Sequence, residues 1–166
     1  MICASHEIIN NHFNPNQTCM SKSLLIGFII LFDQIPRNIF RGTPRAYEND
    51  ELVSNLVKEI FNISNLNLLI FTSDEFNFLI LPLLHLEDKT LESSNLAYNI
   101  TVKYWDSYIN ISKFALIKKN KMIINIQKHK NLLEKFGRYP LRNPILQRES
   151  SIAETLYISE NKNRMV

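Results

Sequence analysis

Three glycines in 166 residues constrain this fold more than any other feature of the chain. Tight strand-to-strand turns need residues that accept positive φ, and glycine supplies most of them. A meander of short strands would call for such turns about every 8–12 residues. The chain is therefore expected to be helical, and its punctuation points the same way. Thr43-Pro44 pairs a side-chain N-cap with proline at the first helical position. Ser73 or Asp74 can cap another helix, and Ser151-Ile152-Ala153-Glu154 has the pattern of a capping box. Gly137 stands where a long helix would end in a left-handed cap.

Between these marks the apolar residues lay out the elements. Leu24 to Phe32 is apolar on every side. As a helix capped by Ser21 or Ser23 it would be buried all round, in the centre of a bundle. Pro36 disfavours helical geometry at Ile35 and is expected to close the element. From Pro44 to about Phe61 a helix would bury Ala46, Val53, Leu56, Val57 and Ile60. Glu48, Asp50 and Glu51 suit its positive end. The helix after Ser73 or Asp74 contains Pro82, which is expected to bend or interrupt it. In the next helical stretch Leu91, Asn95, Tyr98 and Val102 share a face. Phe114 to Phe136 reads as one long helix or two in series, with Leu116, Ile117, Ile123, Ile124, Ile126, Leu132, Leu133 and Phe136 apolar. A short helix near Ile152 to Ser159 comes last. The expectation is an all-α helical bundle in a single domain over residues 21–160. A loosely ordered opening (1–20) and a frayed tail (161–166) flank it.

The formal charge of +3 is mild, and Lys and Arg are spread along the chain. A nucleic-acid binder shows a clustered basic face, so no nucleic-acid partner is expected. The Leu24–Phe32 run falls well short of the roughly 20 residues that span a bilayer. It also lacks the flanks of a signal peptide, so no membrane partner is expected. Cys3 and Cys19 are too few for a disulfide framework, which points to a reducing cytoplasm. There is no glycine-rich phosphate loop and no cysteine pair at zinc spacing, so neither a cofactor nor a metal is expected.

Chemistry-bearing residues gather in three blocks. The first runs Asp33-Gln-Ile-Pro-Arg-Asn-Ile-Phe-Arg-Gly-Thr-Pro-Arg-Ala46. The second is Leu81-Pro-Leu-Leu-His-Leu-Glu-Asp88. The third is Phe136-Gly-Arg-Tyr-Pro-Leu-Arg-Asn-Pro-Ile-Leu-Gln-Arg-Glu-Ser150. The planar guanidinium fork holds a carboxylate or phosphate in two parallel hydrogen bonds, which lysine cannot copy. Asp33, Arg37, Asn38, Arg41, Thr43, Arg138, Arg142, Asn143 and Arg148 are therefore candidates for an anion site at one end of the bundle. Backbone donors behind Thr43 would add to it. His85 and Glu87 are candidates for proton transfer or metal ligation. The competing reading has the arginines pair with Asp33, Asp50, Glu87 and Glu149 to lock loops, with His85 a satisfied structural residue. His129, among lysines on a face expected to be solvated, is given no role.

In their order and spacing these three blocks resemble an uncharacterised, mainly bacterial family known as domain of unknown function 924, over about residues 24–157. The resemblance implies an all-helical fold similar to tetratricopeptide-repeat proteins, with antiparallel helix hairpins. It implies no activity. This chain departs from the family pattern at Leu86, where serine is common, at Leu141, where histidine is common, and at Gln147, where glycine is usual. Two functions stay open. One is a binding module with an arginine-rich site for an anionic small molecule or peptide. The other is an enzyme acting on an anionic substrate through His85, Glu87 and the arginines.

Overall fold

The structure, a computed structural model, describes residues 22–63, 71–108 and 113–161. The expected loose opening lies outside these residues, as does the expected tail beyond Asn161. The described chain contains helices and turns and no strand. Its α-helices are α1 (Lys22–Ile29), α2 (Ile35–Ile39), α3 (Asp50–Ile63), α4 (Ser73–His85), α5 (Glu92–Tyr108), α6 (Lys113–Phe136) and α7 (Ile152–Glu160). A π-helical turn, Ile30–Gln34, joins α1 to α2, and 3-10 turns cover Pro44–Tyr47 and Pro140–Arg142. The all-α expectation therefore holds.

Helix α4 is the hub. Phe76, Leu79, Ile80, Leu83 and Leu84 are buried along it, and it packs against α1, α3, α5 and α6. Leu25, Ile26, Phe28 and Ile29 of α1, Val53, Leu56 and Val57 of α3, and Ile100, Tyr104 and Trp105 of α5 complete one core. Each large apolar side chain so buried contributes about 1.5–3 kcal/mol relative to exposure. Otherwise α3 to α6 pack in chain order. The fixed, repeated crossing of tetratricopeptide hairpins is a finer property than this neighbour-to-neighbour packing.

Several expectations need correction. Pro36 does not end the first helix. Ile35 is helical (φ −63°, ψ −46°), and its N–H reaches back to the Ile30 carbonyl across the π turn. Proline has no N–H to give, and its ring crowds the carbonyl four residues back. A wide turn just ahead accommodates both, so the helix runs on to Ile39. Nor is this first helix buried all round. Leu24 and Leu31 are more than half exposed, because α1 meets the core on one face only. Ser23 lies inside the helix, not at its cap.

The α3 helix begins at Asp50 rather than Pro44. Thr43 makes no side-chain cap, its hydroxyl instead donating to the Phe40 carbonyl. Pro82 sits buried within an uninterrupted α4, whose N-cap is Thr72 in a capping box with Glu75. On α5 the buried face is Ser93, Ser94, Ala97, Ile100, Thr101, Tyr104 and Trp105, while Asn95 and Tyr98 are exposed. Small residues on that face allow close approach, a signal that apolar periodicity passes over. On α6, one continuous helix, Leu116, Ile117 and Ile124 are exposed, whereas Ile126 and Leu133 enter the interior. Gly137 caps α6 as expected, at φ +69° with its N–H on the Leu133 carbonyl.

Candidate functional site

The π turn has a consequence for chemistry. It directs Asp33 inward, where its side chain is fully buried. There it accepts from His85 Nδ1 at 2.8 Å, from Arg37 Nε at 3.2 Å and Nη2 at 3.1 Å, and from Gln34. Arg37 Nη2 also donates to Asp50 Oδ1 at the start of α3. The other Asp50 oxygen takes Arg142 Nη1 at 2.8 Å, and Arg142 Nη2 donates to the His85 carbonyl at 2.7 Å. The interactions close a ring, from the His85 side chain through Asp33, Arg37, Asp50 and Arg142 back to the His85 backbone. Five residues from widely separated parts of the chain thereby fix the end of α4 against α2, α3 and the third block.

Charge in the ring balances. Burial would raise the Asp33 carboxyl, but the hydrogen bond from His85 and the charge of Arg37 hold it below its ordinary value. Burial presses the His85 imidazole down to about 4, despite its bond to Asp33. The ring is therefore neutral at pH 7, with its Nδ1–H given to Asp33. Burial lifts the Asp50 carboxyl up to about 6 against the pull of Arg37 and Arg142, so it still carries its charge at pH 7. Two carboxylates thus answer two guanidiniums.

A second cluster lies beside the first. Arg148 grips Glu87 with two parallel bonds, Nη1 at 2.5 Å and Nη2 at 2.9 Å, and its Nε donates to Asn143 at 3.1 Å. Glu87 also accepts the Tyr139 N–H at 2.7 Å. Arg138 holds Glu154 through Nε at 2.6 Å and Nη2 at 2.9 Å, and donates to the Glu149 carbonyl. The carboxylate partner here is Glu154 of the α7 capping box, not the Glu149 side chain. Asn143 is buried between Arg148 and Ser150. Arg138 and Asn143 thus hold residues 138–154 to one another, and Glu87, through Arg148 and the Tyr139 N–H, fastens that segment to the turn after α4.

Sequence candidates therefore separate into four groups. Asp33, Arg37, His85 and Arg142 meet in the ring. Arg138, Asn143, Arg148 and Glu87 are spent on fastening. Asn38 and Thr43 join neither, since both are exposed and bond backbone carbonyls within their own turn. Arg41 has no partner among the described residues and lies on the wall of an open cavity.

That cavity, about 320 Å³, adjoins the ring. Arg37, Arg41 and Arg142 line it, with Tyr47, His129, Tyr139 and Tyr157 and the aliphatic Leu132, Pro140, Leu141 and Ile145. Arg142 is sandwiched between the Tyr47 and Tyr139 rings, its guanidinium carbon 4.5 and 4.8 Å from their centroids. The Tyr139 hydroxyl donates to the Leu84 carbonyl, and burial pushes its pKa up. His129, expected on a solvated face, is half-buried, bonded to the Asn125 carbonyl and edge-on to Tyr139. Burial lowers its pKa as well. Sequence reasoning missed Tyr47, His129, Tyr139 and Tyr157 as site residues, and named Asp50 only as a carboxylate to pair with arginine, as it does with Arg37 and Arg142. Tyr139 carried a signal, standing inside the third block between Arg138 and Pro140. Among the described residues no group of His, Cys, Asp and Glu could hold a metal ion. No helix there is long and apolar enough to cross a membrane.

Fold and site together define an all-helical protein whose two arginine-bearing blocks are pinned by carboxylates around an aromatic-walled cavity. The chain belongs to the family of bacterial proteins of unknown function DUF924, whose model matches residues 5–162. It is also similar to the solved structure of a protein of unknown function from Agrobacterium tumefaciens. The two are 27% identical over 84% of this chain and 69% of that one, with a TM-score of 0.63. No curated protein matches.

Proposed function

We propose that the protein is a binding module whose cavity takes an anionic small molecule. One observation carries the reading. The ring leaves Arg37 Nη1 and Arg142 Nε without protein partners among the described residues, while both arginines line the cavity beside an unpaired Arg41. Donors held in place by buried carboxylates, with hydrogens to spare, need little reordering to receive an anion. The volume is at the low end of ligand pockets, roughly 300–1,000 Å³, which favours a small molecule over a peptide.

The rival reading, an enzyme working through His85 and Glu87, has the Asp33–His85 hydrogen bond in its favour, since it orients an imidazole with a bare Nε2. Against it, Glu87 is committed to Arg148 and Tyr139, and His85 does not line the cavity. A cytoplasmic location belongs to the same proposal and rests on the sparse cysteines. The test is a thermal-shift screen of small anions at low salt on the wild-type chain and on Arg41→Gln, an exposed position whose change leaves the ring intact. An anion that raises Tm in the wild type and less in the variant supports the reading. No anion doing so, or an equal rise in both, refutes it.

A further inference from the structure

Resting on that reading, we infer that the ligand is a monoanion: a carboxylate attached to an apolar body. The first argument is charge. Three arginines line the cavity, but Asp33 and Asp50 neutralise two of them. Arg41 alone is in surplus, and no carboxylate faces it among the described residues. A carboxylate matches that single charge. A phosphate monoester brings nearly two at neutral pH and meets the field of both buried carboxylates, so its second charge enters uncompensated.

The second is geometry. Arg41 has a free planar fork for one oxyanion group, while Arg37 and Arg142 can add only one donor each, Nη1 and Nε, beside it. The third is the rest of the wall, which is predominantly apolar. Leu132, Leu141, Ile145 and the Tyr157 ring offer nothing to a polar body, and desolvating one against them carries a cost with no hydrogen bond in return. Head and body are thus read by different surfaces.

The same chemistry exists in a free carboxylic acid and in a chain terminus, and the test separates them. Calorimetric titrations of the full chain at pH 7 and low salt use 3-phenylpropionate, acetate, 3-phenylpropanamide, phenyl phosphate and a tetrapeptide ending in phenylalanine. We expect phenylpropionate to bind about tenfold or more tighter than acetate, the amide and phenyl phosphate. Arg41→Gln should weaken phenylpropionate about tenfold. Leu141→Asn should weaken phenylpropionate while leaving acetate unchanged. Phenyl phosphate binding as tightly as phenylpropionate would overturn the monocarboxylate inference and leave the anion pocket standing. Equal binding of acid and amide, or no binding of any anion at about 10 mM, would refute the pocket itself. A tetrapeptide about tenfold tighter than phenylpropionate would overturn the small-molecule assignment and put the carboxylate on a chain terminus.

Discussion

Asp33→Asn removes one charge from the ring while keeping side-chain volume, so no cavity term enters. The Asp33 side chain is fully buried and that of Arg37 is 18% exposed, which places the pair close to the buried regime. Breaking such a pair costs about 3–5 kcal/mol, because the remaining charge stays desolvated. Asn keeps an acceptor oxygen for His85, and Arg37 keeps Asp50, so the lower end applies, about 3 kcal/mol. For a chain of this size each kcal/mol moves Tm by about 2–4 °C, giving a fall of about 6–12 °C by calorimetry. The sign can be checked independently. The folded pKa of Asp33 is depressed, so its contribution is present above the ordinary carboxylate pKa and is lost as pH falls through the folded value. The gap between wild type and Asp33→Asn must therefore narrow below about pH 4. Asp74→Asn, in an exposed pair with Lys118 at 3.8 Å, is the control and should change nothing measurable. A loss below about 1 kcal/mol for Asp33→Asn, the range of exposed pairs, would refute the claim that the ring is a buried, mutually dependent unit.

Gln147 is exposed and held at φ +52°, a left-handed conformation that costs a non-glycine residue about 1 kcal/mol, so Gln147→Gly should raise stability by up to that amount in urea unfolding. His85 and Asp50 should oppose each other between about pH 4 and 6. The folded His85 pKa, about 4, lies below its ordinary 6.5, so its contribution, about 3 kcal/mol, is present above pH 6.5 and lost as pH falls through 4. The folded Asp50 pKa, about 6, lies above its ordinary 3.8, so its contribution, also about 3 kcal/mol, is present at low pH and lost as pH rises through 6. The wild-type slope across that window should lie between those of the two variants: His85→Gln should lose stability with rising pH and Asp50→Asn with falling pH. Parallel profiles in all three proteins would contradict the assignment. Arg148→Lys should destabilise the chain by about 2 kcal/mol, since lysine cannot hold Glu87 with two parallel bonds.

Local punctuation was the legible part of this fold. Gly137, the Ser151–Glu154 box and the α3 face of Val53, Leu56 and Val57 follow from rules that act within one or two turns. Pro36 misled because its local preference was overridden by a π turn that no short-range rule announces. The α5 face misled because Ser93, Ser94, Ala97 and Thr101 are buried for their size. For the site, arginine among lysines was a sound pointer to geometry, and it found Arg37, Arg142 and Arg148. It could not say which arginines are spent, because that depends on carboxylates far away in sequence. Asp50 is legible as a helix-end charge and as one carboxylate an arginine could pair with, but not as the bridge between two blocks, 13 and 92 residues from its partners. His129 was read from its lysine neighbours, yet it faces the Tyr139 ring.

The central claim is that these arginines divide into spent and available. Nitrogen-15 NMR of the guanidinium Nε–H groups during a 3-phenylpropionate titration tests it directly. The Arg37, Arg41 and Arg142 signals are expected to move together with one saturation curve while Arg138 and Arg148 stay fixed. Movement of Arg138 or Arg148 with the pocket signals fixed would contradict it.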